Sequence, residues 1–488
     1  MSIGFQLTPA SAAASAVFVE QRNVRRGVGA DLTHKVLLVG QYNTGSAPTD
    51  FEPVQLLSVA DAQSRYGRGS MLAVMADAAF RAGAIGYEVH ALPVPDASSG
   101  ESDGDIVVTG TATASGTLAL TIAGVDVGID VASGDAATAV GDKIEAAVTA
   151  RPDLPVTASN SAGTVTLTAK FGGAAGDQIR VVLNRSAQDE TPAGLTVTVP
   201  ANLSGGGANP DLSSAFVNLG DTWYTEIVCP YIDDTSITAF ETLGAARMDP
   251  AVKRPFVTFI GYTDTRTNFL TALDDRNSEF SSFIPVHGSP TTAFEIAAAF
   301  TGVWARQHAG ALVGRPVFSA RIPGVLSAAA NDLTYSVRDS GIKAGGSYTI
   351  NAGSGVLAGD IASTRTQTDA GVATGAYRFV SDYMPGLQLK INDSEITFGS
   401  APFTFATVID DAAPGGVPNA VRPSTAKAYA IQLVDRWVSL GLTKNRATVV
   451  DGIVAEIDAT NSGRINLMIP DDFALGLRIM AALIEWDS

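Results

Sequence analysis

Between residues 105 and 203 the chain changes its period, and this constrains the fold more than any other feature. Before it, KVLLVG from Lys35 and YEVHAL (87–92) are apolar strand-like runs, and Met71, Val74, Met75, Ala78 and Ala82 repeat between them at helical spacing. Strand, helix, strand is the signature of α/β structure. After Pro93-Val94-Pro95 and DASSGESDGD, the text becomes short Thr/Val/Ile/Leu alternations such as TLALTI and VDVGIDV. One helix interrupts them, opening at Asp135, whose side chain is placed to cap its first turn. The run Ser204-Gly205-Gly206-Gly207 closes the stretch, and the α/β text resumes with WYTEIVCP, PFVTFIG and SSFIPVHG between helical patterns at 236–248, 266–276 and 291–308. A self-contained β-rich module is therefore inserted into an α/β domain.

The rest of the chain divides by composition. Residues 1–30 carry short apolar segments (IGFQL, AVFVE) and then RNVRRG, with nothing to close a core, and read as an arm. Residues 351–376 are rich in Gly, Ala, Ser and Thr and predict an extended or mobile surface segment. From residue 377 an α+β unit follows. Its helix starts at Ser424, puts Tyr429, Ala430, Leu433, Val434, Trp437 and Val438 on one face, and stops at Gly441. Two strands, TVVDGIVAEID and RINLMIP, are joined by ATNSG, a hairpin turn sequence. The fold class is thus α/β and α+β multidomain. An arm (1–30) precedes a discontinuous α/β middle domain (31–95 and 208–350) that carries the β-rich module (104–204). The segment 351–376 leads to a C-terminal α+β domain (377–488) ending in an arm strand.

Several stretches mimic chemical motifs. FGGAAGD (171–177) has Asp177 where a phosphate loop needs lysine, and alternating residues on both sides make it a turn between antiparallel strands. GESDG (100–104) matches the hydrolase elbow but lacks a buried strand before it and a helix after it, so it reads as linker. In YGRGSMLAVM (66–75), Leu72 occupies the third glycine position of a dinucleotide fingerprint, and Ser70 as a helix N-cap explains the same residues. His34, His90, His287 and His308 have no second ligand at metal spacing and read as structural histidines, although His90 and His287 both sit at strand ends and could meet in space. The acid pairs Asp233-Asp234, Asp274-Asp275, Asp410-Asp411 and Asp471-Asp472 adjoin turns or helix ends and read as caps. No catalytic, cofactor or metal site is expected.

A net charge of −17 argues against coating nucleic acid. The single cysteine, Cys229, in an apolar context predicts a buried thiol. No apolar run approaches the ~18 residues of a membrane span. No lysine or arginine precedes Arg22, so the chain reads as a cytoplasmic product without an export signal.

The ends are the most informative part. Residues 477–486 place Leu477, Ile479, Ala481 and Leu483 on one side and Met480, Ala482, Ile484 and Trp486 on the other, the pattern of a strand covered on both faces. Such a strand is either central in its own sheet or donated to a neighbour's sheet edge. In the second case the interface residues are Ile3, Phe5, Leu7, Val17 and Val19 of the N-terminal arm, with Leu477, Ile479, Met480, Leu483, Ile484 and Trp486. Arg436, Lys444, Arg446, Arg464 and Arg478, interleaved with acids, read either as an ordinary solvated face or as charges between subunits.

In their order, the arm IGFQLTP…AVFVE, YGRGSMLAVM, AKFGGAAGDQIRVVLN, the helix before TKNRATVVDG, and the ending RINLMIPDDFALGLRIMAALIEW resemble the sheath proteins of contractile phage tails, in their Mu-like branch. The stretch 325–423 has no matching feature. The resemblance implies a structural subunit, not an enzyme, that stacks with itself as hexameric rings around an inner tail tube and contracts to drive the tube through a host envelope. Terminal arms would pair with strands of neighbouring C-terminal units, and the inserted module would lie outermost. Baseplate and tail terminator proteins are the implied partners, with no direct nucleic acid contact and no membrane insertion. The implied location is the virion tail, assembled in the bacterial cytoplasm. The sheath of a bacteriocin or secretion-type injector, a static virion shell or adhesin, and a glycine-rich enzyme are the competing readings.

Overall fold

A computed structural model describes residues 32–43, 45–83, 86–96, 100–309, 313–414 and 417–480. It is a mixed α/β structure with several sheets. The described residues fall into two compact units. The larger holds the chain through Ile391, Trp437–Thr448 and the residues from Asp471 on; the smaller includes Asn392–Arg436 and Val449–Pro470.

The centre of the larger unit is a six-stranded sheet in the order Ser281–Pro285, Val257–Tyr262, Glu226–Cys229, His34–Gln41, Tyr87–Val94, Val54–Leu56. All neighbours are parallel except the last edge strand. Parallel strands covered by helices on their faces need continuous apolar runs, and HKVLLVGQ and VTFIGY are buried almost throughout. Helices Met71–Arg81 and Ala293–His308 pack on each other and on the central strands. Ser70 caps the first of them, accepting from Ala73 N–H.

Strand order reverses between His34–Gln41 and Glu226–Cys229, two parallel neighbours, and this switch point is the place where open α/β sheets leave a crevice for ligands. Gln41 Nε2 donates to Asp96 Oδ1 at 2.8 Å and to the Gly172 carbonyl at 2.9 Å, and Tyr231 Oη donates to Gln41 Oε1 at 3.2 Å. Gly172 belongs to the inserted β-rich stretch, so that stretch is bonded to the sheet at its switch point.

The inserted residues form two sheets, one of Leu195–Thr198, Glu101–Gly110, Thr164–Gly172 and Val156–Ser161, the other of Val125–Val131, Gly116–Ile122 and Val181–Leu183. They are not a self-contained body: their buried residues, Ile106, Leu120, Val165 and Phe171 among them, belong to one contiguous core with Val36, Met75 and Phe300. The FGGAAGD loop is not a hairpin turn. It contains a 3-10 turn, Ala174–Gln178, and carries the chain from the first of these sheets to the second. Gly173 enters that turn at φ +96°, a conformation that favours glycine. Asp177 accepts from Ser102 Oγ at 2.7 Å and Gly206 N–H at 3.0 Å, so both suspected motifs, FGGAAGD and GESDG, are structural, and Ser102 sits in a strand rather than a linker. The module's helix is Ala137–Thr149, and no side chain caps it; Asp135 instead accepts from Ala132 N–H and pairs with Lys143.

Residues 351–376 also differ from expectation. Thr349–Ala352 and Gly355–Ala358 pair antiparallel, and the latter pairs with Arg321–Leu326, forming a three-stranded sheet with Val356 and Ala358 fully buried. Beyond it Ser363 Oγ donates to the Tyr377 carbonyl and Thr364 Oγ1 to that of Ser278, so small polar side chains fix the path in place of apolar ones.

In the smaller unit the rings of Phe398, Phe403 and Tyr429 stack edge to face at 5.1 Å, and Ala430, Leu433 and Val434 are buried. The sequence TVVDG is not strand: Arg446–Asp451 is a short helix, and the hairpin is confined to Val454–Ile457 and Ile465–Met468.

Candidate assembly interface

The chain entering its C-terminal segment is docked by short-range chemistry. Lys444 N–H donates to the Asp472 carbonyl at 2.8 Å and Ala474 N–H to that of Leu442 at 3.0 Å, with Thr443 and Phe473 facing each other as an isolated antiparallel bridge. Asp471 accepts from Thr443 Oγ1 at 2.7 Å and from the buried Lys390 Nζ, whose ammonium also lies 3.7 Å from the centre of the Phe473 ring. Burial lowers the Lys390 pKa, against the opposing pull of Asp471. Gly476 permits the next step, since a Cβ there would sit 2.4 Å from Pro316 Cγ.

Arg478 then clamps the segment. Its two terminal nitrogens each lie 2.8 Å from an oxygen of Asp382, Nε is 3.2 Å from Asp360 Oδ1, and the guanidinium stacks 3.8 Å from the Phe379 ring centre. Such a bidentate, stacked geometry suits arginine and not lysine. Exposure alternates along this stretch. Gly476 and Arg478 are half-buried, whereas Leu475 is 65%, Leu477 82%, Ile479 77% and Met480 85% exposed. The alternation is that of a strand lying on one face, yet 474–480 carry no ladder among the described residues. The outcome is a row of large apolar side chains, Leu475, Leu477 and Ile479, held in water by a charged anchor beneath them, with Met480 exposed on the other side where the alternation ends. Ile3, Phe5, Leu7, Val17, Val19, Leu483, Ile484 and Trp486 lie outside the described residues.

The hairpin of the smaller unit is a second unfinished element. Its two strands pair only with each other among the described residues, and Val454 and Met468, directly opposite, are both about half exposed. Asp458 fixes its turn by accepting from Thr460 N–H and Oγ1, Asn461 N–H and Asn466 Nδ2, which hold its carboxyl well below the usual range. A two-stranded sheet is marginal alone and presents open edges.

The basic residues read as cross-copy charges have partners in their own chain: Arg436 with Asp393 at 3.0 Å, Lys444 with Asp472 at 3.5 Å, Arg464 with Asp458 at 3.9 Å, and Arg478 as above. Arg446 opens the short helix. Spacing along the sequence could not show this, because Asp360, Asp382 and Asp393 are 43 or more residues away.

The histidines do not converge. His90 bonds Glu88, and His287 Nδ1 donates to the Asp264 carbonyl. Their strands are four spacings apart in the sheet, about 19 Å. Among the described residues no group of three His, Cys, Asp or Glu side chains is placed to hold a metal.

No family model matches the chain. The Mu-like prophage FluMu tail sheath protein of Haemophilus influenzae is 32% identical to it over 361 residues, 72% of this chain and 73% of the relative. Among solved structures, the sheath tail protein of Desulfitobacterium hafniense superposes with a TM-score of 0.50 at 12% identity, over 95% of this chain and 98% of that one. The anti-feeding prophage helical sheath in its contracted state gives 0.48 at 11% identity, over 98% and 99%. With a full-length fold of this kind and a relative at that identity across most of its length, the chain belongs to the Mu-like phage tail sheath proteins.

Proposed function

We propose that this sheath protein polymerises as stacked hexameric rings around an inner tail tube and contracts to drive the tube through a host envelope, with its terminal segments supplying strands to neighbouring copies. Baseplate and terminator proteins would bound the polymer, as part of a virion tail assembled in the host cytoplasm. The supporting observation is the exposed row Leu475, Leu477 and Ile479 above the Arg478 clamp, with Met480 exposed beside it, close to the segment's continuation in the sequence, ALIEW. Four large side chains left in water at about 25 cal/mol per Å² are a strong drive to pair, and open hairpin edges such as Val454–Ile457 and Ile465–Met468 are where an added strand finds backbone partners. Head-to-tail pairing of this kind closes only as rings or helices. Lys444 and Arg464, each about half exposed or more, remain the cross-copy charges best placed to act.

Truncation tests this. A chain lacking residues 479–488 is expected to keep the wild-type melting curve and circular dichroism but to form no tubes by negative-stain microscopy, where the full chain forms long striated ones. Tubes from the truncated chain at wild-type yield would exclude the donated-strand role.

A further inference from the structure

Around residues 363–378, beside the end of helix Tyr335–Lys343, the chain builds a small pocket. Thr374 N–H donates to the Thr366 carbonyl, Thr368 N–H to that of Val372, and Gln367 bridges Ala373, closing a tight loop. Behind it is a space of about 330 Å³ lined by Lys343, Arg365 and Arg378 together with the hydroxyls of Ser363, Thr366 and Thr374; no carboxylate lines it. Two of the cations are held from outside the pocket. Lys343 pairs with Asp339 at 2.6 Å, and Arg365 with Glu279 at 3.0 Å and Asp369 at 2.6 Å, leaving Arg365 Nε buried without a partner. Arg378 is different. The residue is half-buried, its guanidinium has no ion pair or hydrogen bond among the described residues, and it rests against Gly375, where a Cβ would stand 3.4 Å from Nη2.

In a chain of net charge −17, where Arg276, Arg436, Arg478 and Lys390 all hold carboxylates, a sheltered guanidinium facing an acid-free pocket is the complement of an acid from elsewhere. We propose that this pocket receives a carboxylate side chain from a second copy of the chain. The guanidinium fork would bind it through two parallel hydrogen bonds. A second copy fits better than a free anion because the exposed apolar side chains Val372 and Tyr377 adjoin the lining residues Ala373 and Arg378 in the chain, and a small anion makes no use of them. Every copy also presents an excess of carboxylates. The inference rests on the self-assembly reading and adds a charged contact remote in sequence from the terminal arms.

The test measures polymerisation of the full chain by sedimentation at low and high salt, for wild type, Arg378→Gln, Arg378→Lys and Arg378→Glu, with monomer melting curves alongside. Arg378→Gln is expected to raise the critical concentration about tenfold with unchanged monomer melting. Arg378→Lys should fall between it and wild type, Arg378→Glu should assemble least, and the differences should shrink at high salt. Assembly of all variants like wild type overturns this contact while leaving the assembly reading intact. Failure of wild type to polymerise overturns both. Arg378-dependent stabilisation of the monomer by inorganic phosphate, with assembly unaffected by the substitutions, would make the pocket a small-anion site and also overturn the proposal.

Discussion

His34 and Glu226 open two adjacent parallel strands and face each other with Nδ1 and Oε1 2.7 Å apart, both side chains buried. Thr225 Oγ1 donates to the other Glu226 oxygen at 2.6 Å. Burial pulls the His34 pKa down, but the charge and hydrogen bond of Glu226, aided by the His308 backbone, more than reverse this and leave it raised. A raised folded value means the pair's stabilisation is complete below the unfolded pKa, about 6.5, and is lost as pH rises through the folded value. The melting temperature of the isolated subunit is therefore expected to fall as pH climbs above about 6.5. His34→Ala should abolish that slope and cost about 3–5 kcal/mol, because Glu226 is left buried without its cation. Thermal melts across pH decide the matter, and an unchanged slope in the variant would assign the pH dependence elsewhere. Cys229 makes the opposite case at the same scale: burial pushes its thiol up, so it is inert packing, as its apolar context suggested.

At the scale of elements, the hairpin Val454–Ile457/Ile465–Met468 carries the clearest prediction. Val454 is about half exposed, so Val454→Lys should leave monomer stability within about 0.5 kcal/mol of wild type while reducing tube formation severalfold. Chemical denaturation paired with sedimentation checks both halves, and a wild-type polymer yield would remove this hairpin from the interface. Elements were legible in the sequence wherever burial left a periodic trace. KVLLVG, VTFIGY and SSFIP are strands, Ser70 caps its helix, and Pro423–Ser439 buries the face its spacing gave. Other features were not legible, for physical reasons. Period-two alternation marks a strand but not its sheet, so the crossing of FGGAAGD between two sheets was hidden. The valines of TVVDG favour a strand locally, yet Val449 is buried from a helix. The path of residues 351–376 is set by hydroxyl-to-backbone bonds, which leave no hydropathic signal.

For the whole molecule, membership in the tail sheath proteins makes this a structural chain rather than an enzyme. At the switch point of the six-stranded sheet, Gln41 bonds the Gly172 carbonyl and Tyr231 and so ties the inserted stretch to the sheet. Among the described residues no helix is long and apolar enough to cross a membrane. Of the candidate interface, the apolar character of Leu477, Ile479 and Met480, on two sides of one strand-like segment, could be read from sequence; the Arg478 clamp and the Arg378 pocket could not, since both depend on residues brought together across the fold. The most direct measurement of the central claim is an electron cryo-microscopy map of assembled tubes that resolves both chain ends. The account predicts residues 3–19 and 481–486 traced as strands beside the Val454–Ile457/Ile465–Met468 hairpin of other copies. Both ends traced back onto the body of their own chain, with no exchange between copies, would contradict it.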